Sequence, residues 1–138
     1  MVSKVQRGNK SENECVELHK KLCPKCAIMK AQRTMKPIYI KGKQVFVSQS
    51  NDFFGLFDII VFSPLKTKLF IQVKSNPSHV PEAYRNCLEF YNNYLNEGDA
   101  ISIALRVPKK GWKIKAYSSI DGEQISYFNL KGERVDTL

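Results

Sequence analysis

Apolar and polar residues near the start of the chain recur with the period of an α-helix. Cys15, Leu18 and Leu22 are spaced i, i+3 and i+7, which places them on one face of an amphipathic helix. Asn9 and Ser11 precede this stripe, and each has a glutamate three positions later, as helix N-caps often do. We therefore predict that the first element is a helix that begins at these residues and ends at the next proline.

Strand patterns follow this helix. Residues 26–34 fit a strand, and two β-branched and aromatic runs at 38–40 and 45–47 flank a glycine-containing turn. Two such runs around a short turn are typical of a β-hairpin. We interpret residues 35–50 as a hairpin insertion between the first two strands of the core.

The most apolar segment of the chain begins at residue 56. Residues 56–62 are apolar on both faces apart from one acid, which predicts a buried central strand. Residues 69–74 form the returning strand, and later patterns predict a helix at 80–95 and strands at 100–107 and 112–118. This order of elements predicts an α/β fold in which a central mixed β-sheet is flanked by helices.

Length and composition indicate a single folded domain. The 138 residues are enough for one core, and 43% hydrophobic residues exclude disorder as the main state. We assign residues 1–138 to one domain whose core covers about 7–118. No apolar run approaches the ~18 residues of a membrane span, and Met1 to Lys10 is polar and basic. We therefore expect a cytoplasmic protein with no membrane partner.

The charge of the chain favours a polyanionic partner. The formal net charge is +9, and the basic residues are spread along the sequence rather than collected in a tail. Such a surface attracts phosphate backbones whatever their sequence. Nucleic acid is therefore the first candidate, ahead of acidic membranes and acidic proteins.

The four cysteines are expected to be free thiols, because a domain of this size needs no disulfide framework. Zinc is the alternative. Cys15, His19 and Cys23 are spaced i, i+4 and i+8, and Cys26 follows closely. Structural zinc sites usually take two ligands from each of two elements, and a second cysteine pair is missing. We therefore favour free thiols.

Asp58 is the most informative residue of the sequence. A lone carboxylate within a buried apolar strand is costly unless it is paired or binds a metal. Asp58, the amide carbonyl of Gln72 and the main-chain carbonyl of Val73 are oxygen ligands that suit Mg²⁺, and Lys74 would lie within reach of a bound phosphate. The alternative is a structural acid that pairs with Lys74.

These residues carry a resemblance to a known family. Phe57-Asp58 followed by Gln72-Val73-Lys74, with Glu12 in the first helix after Arg7-Gly8, resembles the PD-(D/E)XK nuclease superfamily. Within it, the chain is most similar to the archaeal-type Holliday junction resolvases. The resemblance implies a restriction-endonuclease-like core.

The resemblance also implies a role for each matching residue. Glu12 and Asp58 would be metal-binding acids, Gln72 would replace the second sheet carboxylate, and Lys74 would be the catalytic lysine. The glutamine removes one negative charge, which weakens Mg²⁺ binding, and Phe57 stands where the motif has proline. Glu12 has an alternative role as an acid that caps the first turn of its helix.

The implied function is a structure-specific DNA endonuclease, a homodimer that uses Mg²⁺, or Mn²⁺ in its place, and no small-molecule cofactor. Alternatives are a restriction- or repair-type nuclease on duplex or single-stranded DNA, and a DNA-binding module of the same fold with little catalysis. An RNA-processing nuclease ranks last. Candidates to hold the nucleic-acid backbone are Arg33, Lys36, Lys41, Lys43, Lys109 and Lys110. Further candidates near the site are Ser48, Ser50 and Asp52.

Overall fold

A computed structural model describes the backbone of residues 4–138, and the side chains of all of these except residues 4–7, 48 and 50. The protein is an α/β fold with a mixed seven-stranded sheet and two helices. The helices are α1 (Lys4–Leu22) and α2 (Val80–Tyr94), and a short 3-10 turn, Pro77–His79, precedes α2. Neither described helix is long and apolar enough to cross a membrane.

Nine strands are described. They are β1 (Ala27–Lys30), β2 (Arg33–Ile40), β3 (Lys43–Ser50), β4 (Ile59–Phe62), β5 (Lys68–Lys74), β6 (Ala100–Val107), β7 (Gly111–Ser118), β8 (Gly122–Asn129) and β9 (Arg134–Val135). The main sheet has the order β1-β4-β5-β6-β7-β8-β9, whereas β2 and β3 form a separate two-stranded sheet. Only the β5–β6 pair of the main sheet is parallel, and α2 supplies the crossover that a parallel pair requires.

Each face of the sheet carries one helix and one apolar core. Cys15 and Leu18 of α1 pack with Ile59 and Ile71 on one face. On the other face Tyr84 and the rest of the apolar side of α2 pack with β4, β5 and β6. The helices therefore flank the mixed sheet, as the sequence predicts.

The start of α1 differs from the prediction. The helix is already formed at Lys4, so Asn9 and Ser11 lie within it and do not cap it. The segment from Lys4 to Ser11 contains no proline, and its Lys, Gln and Arg residues are good helix formers, so the helix continues through Gly8 although glycine weakens it. The predicted end is correct, since α1 ends at Leu22.

The segment predicted as one strand at 26–34 is divided. β1 ends at Lys30, and the chain leaves the main sheet at Ala31 to enter the hairpin. That hairpin spans 33–50 rather than 35–50. Its turn is Lys41-Gly42, where φ is +51° and +77°, the two positive values of a type I′ turn.

The strand predicted at 56–62 is shorter and less central than expected. β4 begins at Ile59, and it is second from one edge of the sheet. Phe53 and Phe57 pair across a tight turn at Phe54-Gly55, where φ is again positive at both residues. Asp58 therefore lies at the start of a strand and not in its middle.

The later predictions are confirmed for β5, α2, β6 and β7 to within one residue. The sheet then continues beyond residue 118, because β8 and β9 extend it. Phe128 of β8 is buried in the core on the α1 side, so the core is not limited to 7–118. The polar strand β8 was not predicted since few of its residues are apolar.

The expectation of four free thiols is wrong for two cysteines. Cys23 and Cys26 are joined by a disulfide, with their Cα atoms 5.4 Å apart, because the turn after α1 brings them together. Cys15 and Cys87 are free and buried, and burial raises the pKa of both thiols. A zinc site would need Cys23 and Cys26 as ligands, but their sulfurs are joined to each other. It would also need Cys15, which is packed in the core. The structure therefore does not support the zinc alternative.

Candidate active site

A small pocket of about 200 Å³ lies at the end of the sheet where β4 begins and β5 ends. Its lining comes from α1, from both ends of the β2–β3 hairpin and from the two strands. The lining residues are Gly8, Ser11, Glu12, Arg33, Asp52, Asp58, Val73, Lys74 and Ser75. The pocket thus collects three acids, two cations and little apolar surface.

Backbone pairing fixes Asp58 at this pocket. Its N–H donates to the carbonyl of Ile71 at 2.9 Å, and its carbonyl accepts from the N–H of Ala31 at 2.8 Å. The antiparallel register of Ile59 with Ile71 then sets Asp58 beside the last residues of β5. The backbone of Asp58 is therefore hydrogen-bonded on both sides, to β5 and to the residue after β1, and this holds its carboxylate in place.

The Asp58 carboxylate lies in an environment that opposes its ionisation. Burial raises its pKa from 3.8 to about 7, and the negative charges of Glu12 and Asp52 add to this rise. The N–H of Val73 donates to Oδ2 at 2.7 Å and acts in the opposite direction. Asp58 therefore titrates near neutral pH, which is unusual for a carboxyl group and typical of functional sites.

Asp52 reaches the same pocket through the tight turn at Phe54-Gly55. Asp52 and Asp58 flank the paired residues Phe53 and Phe57, so the turn brings the two acids close together. A side-chain hydrogen bond in which Asp52 accepts from protonated Asp58 contributes to the raised pKa of Asp58. The structure thus places Asp52, a further candidate from the sequence, beside Asp58.

Glu12 lies in the interior of α1, so its alternative role as an acid in the first turn is wrong. Its side chain is only 5% exposed, and Oε2 accepts from Nη2 of Arg33 at 2.7 Å. Oε1 is buried and has no hydrogen-bond partner among the described residues. Gly8 makes room for this pair, because a Cβ there would lie 3.3 Å from Nη2 of Arg33.

Arg33→Met is expected to lower the free energy of unfolding by about 3 kcal/mol, because it leaves the buried Glu12 charge uncompensated. Urea unfolding near neutral pH measures this loss. Adding Glu12→Gln to the Arg33→Met protein should restore most of the stability. The exposed Arg85→Met is the matched control and should change little. Equal stability of Arg33→Met and Arg85→Met would contradict the assigned pair.

Lys74 ends β5 and lines the pocket with the three acids. The ion pairs of the described residues do not include one between Lys74 and Asp58. The alternative reading of Asp58, a structural acid paired with Lys74, is therefore not what the geometry gives. Asp99 illustrates a structural acid, because its two oxygens accept the N–H groups of Lys68 and Asn96 at 2.9 and 3.0 Å.

Gln72 is not brought into the pocket. Its Oε1 accepts from the thiol of Cys87 in α2 at 3.6 Å, since Gln72 lies one residue deeper in β5 than Val73, under the helix. Val73 does line the pocket. Its N–H faces Asp58, and the carbonyl of a strand residue points to the same side as its N–H.

Two of the six basic candidates, Lys109 and Lys110, lie at the pocket end of the sheet. Because β5 and β6 are parallel, the β6–β7 turn with Lys109 and Lys110 is at the same end of the sheet as Lys74. Lys36, Lys41 and Lys43 are exposed on the β2–β3 hairpin, whose base lines the pocket. Arg33, by contrast, is part of the pocket. The side chains of the candidates Ser48 and Ser50 are not among those that the structure describes.

The oxygen donors of the pocket suit a divalent metal. Mg²⁺ commonly takes one or two carboxylates and completes its shell with water and phosphate. Asp58, Glu12 with its unpartnered Oε1, and the main-chain carbonyl of Val73 match that requirement. The described residues contain no group of three or more His, Cys, Asp and Glu side chains close enough to hold a metal alone. The pocket therefore fits a metal that shares its ligands with water and substrate.

A larger groove of about 840 Å³ lies between α1 and the β7–β8 region. Its central charged groups, Arg106 and Glu14, satisfy each other at 2.7 Å. Arg106 also donates to the carbonyls of Val107 and Gly111 and lies over the ring of Trp112. Arg106 and Glu14 of this groove are thus engaged in structural contacts, so the smaller pocket remains the candidate site.

Sequence reasoning missed that Arg33 belongs to the pocket, and that Gly8 and Ser11 line it. A usable signal was present, because Gly8 and Glu12 are four residues apart and share one face of α1.

No protein-family model, no curated protein and no solved structure matches this chain. Chemistry is therefore assigned to the pocket from its own residues.

Proposed function

We propose that this protein is a metal-dependent, structure-specific DNA endonuclease with a restriction-endonuclease-like core, similar to the Holliday junction resolvases. One observation carries the proposal. Glu12 from α1, Asp58 from the start of β4 and Lys74 from the end of β5 line one pocket. These are three of the four residues that the resemblance assigns to catalysis, and they are far apart in sequence.

The chemistry of the pocket supports hydrolysis of a phosphodiester. Mg²⁺ bound by Asp58, Glu12 and the carbonyl of Val73 would supply Lewis-acid polarisation of the phosphate. The Lys74 ammonium would contact a phosphate oxygen and stabilise the charge that develops there. Asp58 must lose its proton before it can bind a metal, so activity should rise as the pH passes about 7.

Branched DNA is the proposed substrate, and a homodimer the proposed assembly. The net charge of +9, Arg33 and Lys74 in the pocket and the exposed lysines of the hairpin favour a nucleic-acid backbone. A four-way junction is two-fold symmetric and needs two matched cuts, which a symmetric dimer supplies most simply. A restriction- or repair-type nuclease would use the same pocket on another DNA.

A DNA-binding module with little catalysis is the second candidate, and Gln72 is the observation that favours it. Its side chain faces Cys87 rather than the pocket, so the pocket has fewer donors than the resemblance implies. With one carboxylate fewer in the sheet, metal affinity is expected to be low. Cleavage would then need millimolar Mg²⁺ or Mn²⁺.

The test is cleavage of a four-way junction, a flap, a linear duplex and a single strand, each with Mg²⁺, Mn²⁺ or a chelator. We expect paired metal-dependent cuts near the junction crossover. Lys74→Met should slow them by about 100-fold, because the phosphate loses its cation. Lys66→Met is the control, since Lys66 lies in the β4–β5 turn at the opposite end of the sheet.

Each outcome has a distinct meaning. Cuts in linear or single-stranded DNA that still need Lys74 would retain the nuclease and change the substrate class. Junction binding with no cleavage at any metal concentration would support the binding module instead. Equal rates for Lys74→Met and Lys66→Met would remove Lys74 from the mechanism.

A further inference from the structure

The β2–β3 hairpin stands apart from the rest of the fold. Its two strands pair with each other over eight residues each. Among the described residues, neither strand packs extensively against either helix or the main sheet. From Thr34 to Gln49 every described side chain is exposed except that of Ile38. The hairpin therefore projects into solvent.

The exposed surface of this hairpin is unusually apolar. Met35, Tyr39 and Phe46 are 62%, 73% and 58% exposed, and in the strand register they lie on one face. Ile40 and Val45, with 53% and 38% exposure, lie on the other face. Isolated two-stranded hairpins are only marginally stable in water, and apolar patches of this kind mark interaction sites. A partner is therefore expected to cover the hairpin.

The charge of the hairpin indicates the kind of partner. Residues 33–50 contain four basic residues and no acid. Three of the four are the exposed lysines Lys36, Lys41 and Lys43. A second copy of the chain would bring the same positive charge, and the whole chain is already at +9. Complementary charge thus favours a polyanion over self-association.

The base of the hairpin is part of the pocket lining. Arg33 begins β2, and Asp52 follows the end of β3 by two residues; both line the pocket. The N–H of Asn51 donates to the carbonyl of Gln32 at 2.9 Å and ties the two legs together there. A partner that binds along the hairpin as far as its base therefore reaches the pocket that contains Asp58.

We propose that the β2–β3 hairpin is an arm that lies in the major groove of duplex DNA next to the pocket, an inference that rests on the proposed function. A two-stranded ribbon fits the major groove of B-form DNA, whereas the major groove of A-form RNA is too narrow and deep. The lysines contact the flanking phosphates, and Tyr39 and Phe46 contact sugars and base edges.

The length of the arm sets its reach. Eight residues at about 3.3 Å each give about 26 Å, which corresponds to about seven or eight base pairs at 3.4 Å. The arm therefore covers DNA on one side of the pocket. A duplex arm that ends closer than this to the cut site should bind less tightly.

The experiment measures binding of a labelled duplex of about 30 base pairs by fluorescence anisotropy, with chelator present and across a salt series. Tyr39→Ser together with Phe46→Ser should weaken binding to duplex DNA about tenfold without changing the salt slope, and should leave binding to duplex RNA unchanged. Lys36→Gln with Lys41→Gln and Lys43→Gln should reduce the salt slope by about 2 to 3.

The matched control is Leu65→Ser with Lys66→Gln in the β4–β5 turn, where Leu65 is 85% exposed. This protein should bind DNA as the wild type does. The proposal is overturned if the Tyr39/Phe46 variant binds duplex DNA as tightly as the control, or if duplex RNA binding falls equally. It is also overturned if the variant converts a dimer to monomers with unchanged DNA affinity, which would assign the arm to a second copy. The proposal is overturned as well if the wild type binds vesicles of phosphatidylserine and phosphatidylcholine more tightly than duplex DNA and the Tyr39/Phe46 variant loses only the vesicle binding. That result would assign the arm to a membrane surface.

These measurements separate the two proposals, because no metal is present and no cleavage is scored. Loss of DNA affinity in the arm variants, in a protein that cuts no DNA under any condition, would support the arm while the nuclease proposal fails. Unchanged affinity in the arm variants, in a protein that does cut DNA, would overturn the arm and leave the nuclease intact.

Discussion

Asp58→Asn is expected to reduce metal-dependent DNA cleavage by about 10³-fold, and at about pH 8 to raise the melting temperature by about 3 °C or more. The loss of activity is expected because Asp58 is a metal ligand in the proposed mechanism, and such a ligand is worth several kcal/mol of transition-state stabilisation. The gain in stability follows because the substitution removes a carboxylate that burial and two neighbouring acids oppose.

The direction of the pH dependence follows from the raised pKa. Asp58 has a pKa of about 7 in the folded protein against 3.8 ordinarily, so between these values the folded state binds more protons than the unfolded state. Stability therefore falls as the pH rises from about 4 to about 7. Each pKa unit corresponds to about 1.4 kcal/mol. Asp58→Asn does not titrate and should lose this slope.

Thermal unfolding at several pH values, with and without Mg²⁺, measures both effects. Mg²⁺ should stabilise the wild type above about pH 7 and leave Asp58→Asn unchanged, because binding to the folded state alone raises stability. Asp121→Asn is the control, since Asp121 is exposed. A lower melting temperature for Asp58→Asn, or an unaltered cleavage rate, would contradict the assigned role.

Gly111→Ala is expected to lower the free energy of unfolding by about 4 kcal/mol, from backbone strain and overpacking together. Gly111 begins β7 with φ at +139°, a conformation that L-residues rarely adopt. A Cβ there would overlap the carbonyl oxygen of Phe128 and lie 2.9 Å from the Cα of Asn129. β8 would have to move away from β7.

Urea unfolding followed by tryptophan fluorescence measures this loss, because the single tryptophan, Trp112, is the next residue and is buried. Gly122→Ala is the control. Gly122 also has a positive φ of +70°, but a Cβ there meets nothing within 4 Å. Its cost should be about 1 kcal/mol. Similar losses for the two variants would show that close packing of β7 on β8 is not the cause.

Much of the fold could be predicted from the sequence because several elements have a strong hydrophobic periodicity that fits only one type of secondary structure. Residues 69–74 and 80–95 carry clear strand and helix patterns, and both were predicted to within a residue or so. Tertiary packing decided the rest. β8 is polar along most of its length, and only Phe128 enters the core, so its pattern was too weak to predict a strand.

The candidate site was predicted where topology alone brings residues together. Asp58 and Lys74 lie at the open end of the β4–β5 pair, opposite the turn that joins the two antiparallel strands, so their approach follows from the register. The direction of Gln72 depends on Cys87, a contact with a helix that the sequence does not position. The Arg33–Glu12 pair likewise depends on how the hairpin leaves the sheet at Ala31, which no local pattern specifies.

All the residues that line the pocket lie between Gly8 and Ser75, whereas β6, the parallel partner of β5, ends at Val107. During synthesis the ribosome therefore releases every reactive group before it releases the strand that completes the sheet around them. A nascent chain that stops at Ser75 carries the three acids, Arg33 and Lys74 of the pocket but lacks α2 and β6. The pocket is thus complete in residues before the sheet that holds it is complete, and a fragment cut after Ser75 is expected to form the pocket only when the missing half is supplied in trans.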